Sequence, residues 1–563
     1  MNENVNNKVH VSKIKRGKIM KKYAFLGVLL ISMGVFATVS AQTYIDVEPD
    51  NYPLEVGSLN NAIENHGADG VIFRLKRGEV YWNDARIRPL DYHLVIEAEE
   101  GDGPRPMIRT AVDETGSDVG RWMQAEGSGL TLRGIYLCGL DEEFNMTGQM
   151  QIREKMAVYL DDVMYEYADQ SLLRHNVDSV SYYITNSYIR KVGREQDPNN
   201  GRIIDTRGNH TDSLVIINST LSDFTHYGFW TWGSVTNYVK LDHNTIIDGG
   251  LGLDISLVKE AVITNNLITS VGWRGNPATL ESGMDDHAIF TFVSADPTEF
   301  YNDADRSIVF RNNNIGGMKS SYIDLLEKYW EPGMATNPSG QPTNRLFIHD
   351  MIIDSTGLDL LDKGIIVMED NFTESEGPEG LVFSSRTDLN LLLTYYEQYV
   401  GGANEFSEMF DRTETGIGEN TWSDLSYNQN AISFTGAEKR YPVGNLNYWP
   451  QEYIDSWLAG LDAPNLTHSE IIMHQPEEFL LINAYPNPFN PTTNISYVLP
   501  NSTDVVLEVY NVVGSRVLRL EEGVKPVGEH TVLIDGSKLT SGIYVVRLVA
   551  GNDIKTTKIT LIK

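Results

Sequence analysis

VKLDHNTIID (239–248) and AVITNNLITSVG (261–272) share one plan: a β-branched strand, one Asn or Asp, a second short apolar strand, and a polar or glycine turn. The same plan returns in YYITNSYI (182–189), LVIINSTL (214–221), IVFRNNNIGG (308–317), LFIHDMIID (346–354) and IIVMEDNFTES (365–375). Its polar positions are Asn186, Asn218, Asn244, Asn266, Asn313, Asp350 and Asn371, and VYLDDVMYEY (158–167) and LTLRGIYLCGL (130–140) extend the series back to Asp162 and Gly134. The short spacings suit one solenoid coil, and the long ones require inserted loops. Near-continuous Val, Ile and Leu runs are the mark of parallel strands buried among neighbours, whereas sandwich strands alternate apolar with polar. Asn tolerates a left-handed corner and can hydrogen-bond to a copy of itself one coil away. The expected architecture is an all-β chain built on a right-handed parallel β-helix with an asparagine ladder.

Outward from this stack, Ser58 to His66 before Gly67 reads as a short helix with a Ser cap and a Gly stop, suited to plugging the first coil. The stretches Leu389 to Val400 and Tyr453 to Leu461 read as helices covering the last coils. Followed by GVIFRLKRGEVYW (70–82) and YHLVIEAEEG (92–101), the first helix resembles the opening of pectate-lyase-like β-helix proteins. The strings DSLVIINSTL and LDHNTIIDGG resemble β-helix proteins found beside polysaccharide-degrading enzymes in Bacteroidetes. That resemblance implies an architecture and leaves elimination, hydrolysis and plain binding all open.

Both ends carry addresses. Lys21-Lys22, the uncharged run Tyr23 to Val39 and the small residues before Gln42 read as a signal peptide spanning 1–41, with Met20 an alternative start. The expected β-helix domain spans 42–470 and a linker spans 471–484. From Tyr485, a proline cluster introduces short alternating strands, the pattern of a small immunoglobulin-like β-sandwich over 485–563. YPNPFNPTT (485–493), YNVVGSRV (510–517), LTSGIYVVRL (539–548) and a basic last strand resemble the type A C-terminal sorting domain of the type IX secretion system. The resemblance implies a Bacteroidetes-like origin, the type IX machinery as a partner, and a secreted or outer-membrane cell-surface location.

Lys and Arg number 45 against 77 Asp and Glu, and the net charge of −32 repels phosphate backbones and excludes nucleic acid as a partner. One cysteine permits no internal disulfide. The mature chain is expected to be a monomer with no membrane span and to meet polysaccharide as its partner.

The aromatic segment DFTHYGFWTWG (223–233) places His226, Tyr227, Trp230 and Trp232 in one turn, with Trp273 in the next insertion, as candidates for stacking on sugar rings. Lys240 is the candidate base for elimination, and Asp285, Asp286 and His287 are candidates for acid–base work or for a Ca²⁺ site. Arg190, Lys191, Arg207, His226 and Lys240 are expected to form a basic line across one face. The segment Gly252 to Lys259 resembles the calcium-acid and lysine segment of alginate and chondroitin lyases with this fold, but Gly252 stands where those enzymes have an acid. The expected function is a polysaccharide lyase or glycoside hydrolase; the alternative is a non-catalytic glycan-binding or adhesive surface protein.

Overall fold

A computed structural model describes residues 42–464 and 480–562, apart from 90, 112–120, 195–199, 273–287, 318–350, 378–379, parts of 385–422, and single or short positions in the C-terminal domain. The proposed signal peptide and the linker as far as residue 479 lie outside the described residues.

Three parallel sheets run the length of the stack, with 11, 9 and 8 strands among the described residues, and successive strands of each sheet come from successive coils. This is the right-handed parallel β-helix expected, since right-handed crossovers dominate between parallel strands. The first sheet shows why. Leu94, Leu130, Val158, Tyr182, Leu214, Val239, Ala261, Ile308 and Ile366 are each other's register partners from coil to coil. All of them are buried. Each large side chain in that file contributes roughly 1.5–3 kcal/mol by leaving water.

The corner between the first and second sheets carries two polar files rather than one. Gly134, Asp162, Asn186, Asn218, His243, Asn265, Asn312 and Asp370 all have φ between 50° and 64°, so this file makes the left-handed turn. The residue after each turn forms the inner ladder. Asn244 Nδ2 donates to Asn266 Oδ1 at 3.0 Å, Asn266 Nδ2 to Asn313 Oδ1 at 2.9 Å, and Asn313 Nδ2 to Asn371 Oδ1 at 2.8 Å. Ser219 and Ser187 continue the file, with Ser219 N–H donating to Asn244 Oδ1 at 3.0 Å and Ser187 N–H to Ser219 Oγ at 3.1 Å.

The sequence expectation therefore slips by one residue between Asn218, which turns the chain, and Asn244, which bonds inside it. Asp350 lies outside the described residues. Met351 to Ile353, which follows it, pairs with Ala288 and Phe290 in the third sheet, so the chain from Asn313 to Asn371 makes one long coil and not two.

The helix Ser58–His66 packs against the first strands, and Gly57, not Ser58, occupies its cap position. Asp50 Oδ1 accepts the Ser58 N–H at 2.9 Å. The helix Gln451–Leu458 does not cap the last coil. It lies along the side of the stack, where Trp457 meets His243 with ring centroids 5.0 Å apart.

This helix belongs to a strap, broadly residues 409–457, that folds back over the second sheet. Leu446 N–H donates to Asn218 Oδ1 at 2.6 Å, Glu438 N–H to Asn265 Oδ1 at 2.8 Å, and Tyr167 OH to the Asp411 carbonyl at 2.5 Å. Its aromatic residues, including Tyr427, Tyr441, Trp449 and Tyr453, bury Leu267 in a second apolar core.

The C-terminal domain has two antiparallel sheets, one of three strands and one of four, around its own apolar core. The strand Leu480–Tyr485 already pairs with Thr492–Leu499, so the ordered pattern starts ahead of the Tyr485 boundary read from sequence.

Candidate glycan-binding wall

The third sheet has the shortest strands, and its register assembles the candidate site. Gln124, Gln151, Arg174, Asp205 and Trp230 are partners on successive coils. With strands about 4.8 Å apart, side chains one coil apart lie within reach of each other.

At one end of this file stands an aromatic strip. Trp230 and Trp232 stack with centroids 3.7 Å apart, and Tyr227 lies 5.7 Å from Trp230 with its ring inclined by 26°. His226 meets Tyr227 and Trp230 edge-on, with centroids 4.8 Å away in both cases. Phe229 and Phe224 point into the core. Trp232 is 45% exposed although its indole N–H is anchored on Asp205 Oδ1 at 2.7 Å.

Guanidinium groups hold the strip from beside and below. Arg202 sits over the Trp230 ring at 4.1 Å, and Arg207 over Trp232 at 5.1 Å. Buried Asp205 pairs with Arg202 at 3.1 Å and with Arg174 at 3.7 Å. Burial pushes Arg202 down to about 10, with Asp205 opposing and Arg207 and Arg174 reinforcing the shift, so the group stays cationic at neutral pH. The field of Arg174 in turn includes Arg207 and Arg121, and that of Arg86 includes Arg88, Arg121 and Arg153. Arginines thus gather beside the third sheet, Arg174 and Arg202 sharing Asp205 and Arg86 bonded to the Arg121 carbonyl, in a protein whose net charge is −32. Arg86, Arg121, Arg174 and Arg202 were not singled out from sequence, because only the stacking of successive coils brings them together.

The other expected residues are distributed differently. Lys240 lies on the outer face of the first sheet, 3.7 Å from Asp242 Oδ2, on a different wall from the aromatic strip. Trp273, Asp285, Asp286 and His287 lie outside the described residues. Arg190 and Lys191 do not join the surface basic line. Both are buried against Glu166, at 2.7 and 3.5 Å, and Arg190 donates to the Thr421 carbonyl of the strap at 2.9 Å. They compensate a carboxylate that burial would otherwise make costly.

The segment likened to a calcium-acid and lysine site does not converge. Asp254 is saturated by Thr231 and Ser256, whereas Lys259 is exposed on the first sheet. A side chain at Gly252 would collide with the Ile289 carbonyl, 1.9 Å from the position of its Cβ. Among the described residues, no three His, Cys, Asp or Glu side chains gather as a cation site.

A second left-handed file, Tyr167, Lys191, Asp223, Asp248 and Ser270, runs through the second sheet at the penultimate position of successive strands. Burial, and then Asp248 one coil away, push the Asp223 carboxyl up to about 6 against the pull of Arg190 and Lys191.

Residues 483–563 match the Secretion system C-terminal sorting domain. No curated protein and no solved structure matches the chain. Among the described residues, no helix is long and apolar enough to cross a membrane. The signature strings read at the sequence level and the two antiparallel sheets thus agree with the family match, and the chain ends in a type IX sorting domain that addresses it for export.

Proposed function

We propose that this exported protein engages an acidic polysaccharide along the outer face of the third sheet. The observation that carries the reading is the Tyr227–Trp230–Trp232 strip with Arg202 and Arg207 set against its rings. Sugar rings present apolar faces to indoles, and guanidinium forks suit the carboxylates or sulfates of an acidic chain. The strong negative charge elsewhere on the molecule makes this wall the place where a polyanion can approach. Export to the cell surface or beyond would put the wall where such polymers are met.

Cleavage by elimination or hydrolysis is a second reading, favoured by sequence adjacency. Asp285, Asp286 and His287 directly precede Ala288–Thr291, a strand of the same third sheet, and Trp273 follows Gly272 at the end of the neighbouring corner.

The test is a panel of acidic and neutral polysaccharides run in affinity gels and assayed for unsaturated products and new reducing ends, with and without chelator. Retardation by acidic chains that Trp232→Ala weakens supports engagement; product formation that Asp285→Ala or His287→Ala abolishes adds catalysis. Equal retardation by wild type and Trp232→Ala would remove the proposed surface.

A further inference from the structure

We propose that the cavity at the N-terminal end of this wall binds a small anionic group, a carboxylate or sulfate carried on a sugar. The cavity is an open cleft of about 430 Å³ lined by Arg86, Arg121, Thr147, Gln149, Asp169 and Gln170, with Met146 as its apolar side chain. That volume lies within the ordinary range for small-molecule sites.

Its position follows from the register. Ile87, next to Arg86, bridges Met123 in parallel, and Arg121 enters the strand that Met123 begins. Gln149 enters the following strand, Met150–Ile152. Four rungs separate the Arg121 strand from the Trp230 strand, roughly 19 Å at the usual spacing.

The chemistry of the walls selects charge. Arg86 feels Arg88, Arg121 and Arg153, and burial together with that crowding lowers its proton affinity, a cost that an anion between the groups relieves. Arg86 Nε donates to the Arg121 carbonyl at 3.2 Å, and Arg121 Nη1 to Gln151 Oε1 at 2.8 Å, so both forks are held in place before a ligand arrives. Asp169 is the opposing carboxylate, and Arg194 stands 3.7 Å from it.

Gln149 lines the same cavity and is largely buried, so it sets a neutral amide, and not a competing charge, beside the two arginines.

The pocket rests on the polysaccharide reading for the sugar only, and the experiment separates the two. The full chain is titrated with galacturonate, galactose and sodium sulfate, with chloride at matched ionic strength, by calorimetry. Galacturonate should bind where galactose does not, and sulfate should bind if the charge alone suffices. Arg121→Gln should weaken galacturonate binding at least tenfold, as should the near-isosteric Gln149→Glu, which places a negative charge in the cavity without emptying it. Lys259→Ala, an exposed position on the first sheet, should leave galacturonate binding unchanged. Absence of galacturonate binding, or wild-type affinity in both cavity variants, overturns the proposal. Galacturonate binding without retention of any acidic polymer keeps the pocket and removes the polysaccharide reading.

Discussion

The carboxylate of Asp205 accepts the indole N–H of Trp232 at 2.7 Å. Asp205 is buried and already compensated by Arg202 and Arg174, so an exposed ring is fixed by a group that cannot itself move. A platform held this way loses little conformational freedom when a ligand stacks on it.

Trp232→Ala should therefore lower affinity for an acidic glycan by about fivefold or more, the ~1 kcal/mol scale of a stacked aromatic contact. Its melting temperature should fall modestly, because the ring is about half covered and its indole N–H is a partner of buried Asp205. Calorimetric titration and thermal melts on the same variant check both halves.

The ladder makes a prediction about stability. Asn266 Oδ1 accepts from the backbone and side chain of Asn244, while its Nδ2 donates to the Leu241 carbonyl and to Asn313. Asn266→Ala strands several buried groups at about 1–3 kcal/mol each and should lower the denaturation midpoint sharply. Asn312 is the turning residue of the next coil, at φ 53°, and glycine accepts that conformation. Asn312→Gly should cost clearly less than Asn266→Ala in denaturant melts, and equal losses would contradict the assignment of turn and ladder.

Asp223 gives a pH dependence with a definite sign. Its folded carboxyl titrates near 6 rather than 3.8, so between those values the folded state holds more protons than the unfolded state. That contribution to stability is complete at the acid end of the window and is lost as pH rises through it. The groups facing Asp223 are Asp248, Arg190, Lys191 and Ser222. Asp223→Asn cannot titrate, so the melting temperature of the wild type should fall relative to this variant between pH 4 and 6. Parallel curves would show that Asp223 does not carry the effect.

What could be read from sequence was whatever depends on local backbone demand. Left-handed corners favour Gly, Asn and Asp, and buried parallel strands favour Val, Ile and Leu, so the stack is legible in the sequence. The slip at His243 and Asn244 arose because a turning polar residue and a ladder asparagine are neighbours with the same composition. Where His turns the chain, nothing in the string separates the two roles. The arginine wall was hidden for another reason. Loops of different length separate Arg86, Arg121, Arg174 and Arg202, and only the stacking of successive coils brings Arg174 to Arg202 through Asp205 and Arg86 to Arg121. Arg190 and Lys191 were misread as surface charges because their shield, the strap at Thr421, lies more than 200 positions along the chain.

Hydrogen exchange of the full chain with and without a bound acidic oligosaccharide, such as oligogalacturonate, tests the location of the site most directly. The account predicts slowed exchange confined to the third-sheet wall, in segments 121–125, 149–152, 171–176, 202–208 and 226–233. Protection centred on the outer face of the first sheet around Lys240, or no protection at saturating ligand, would contradict it.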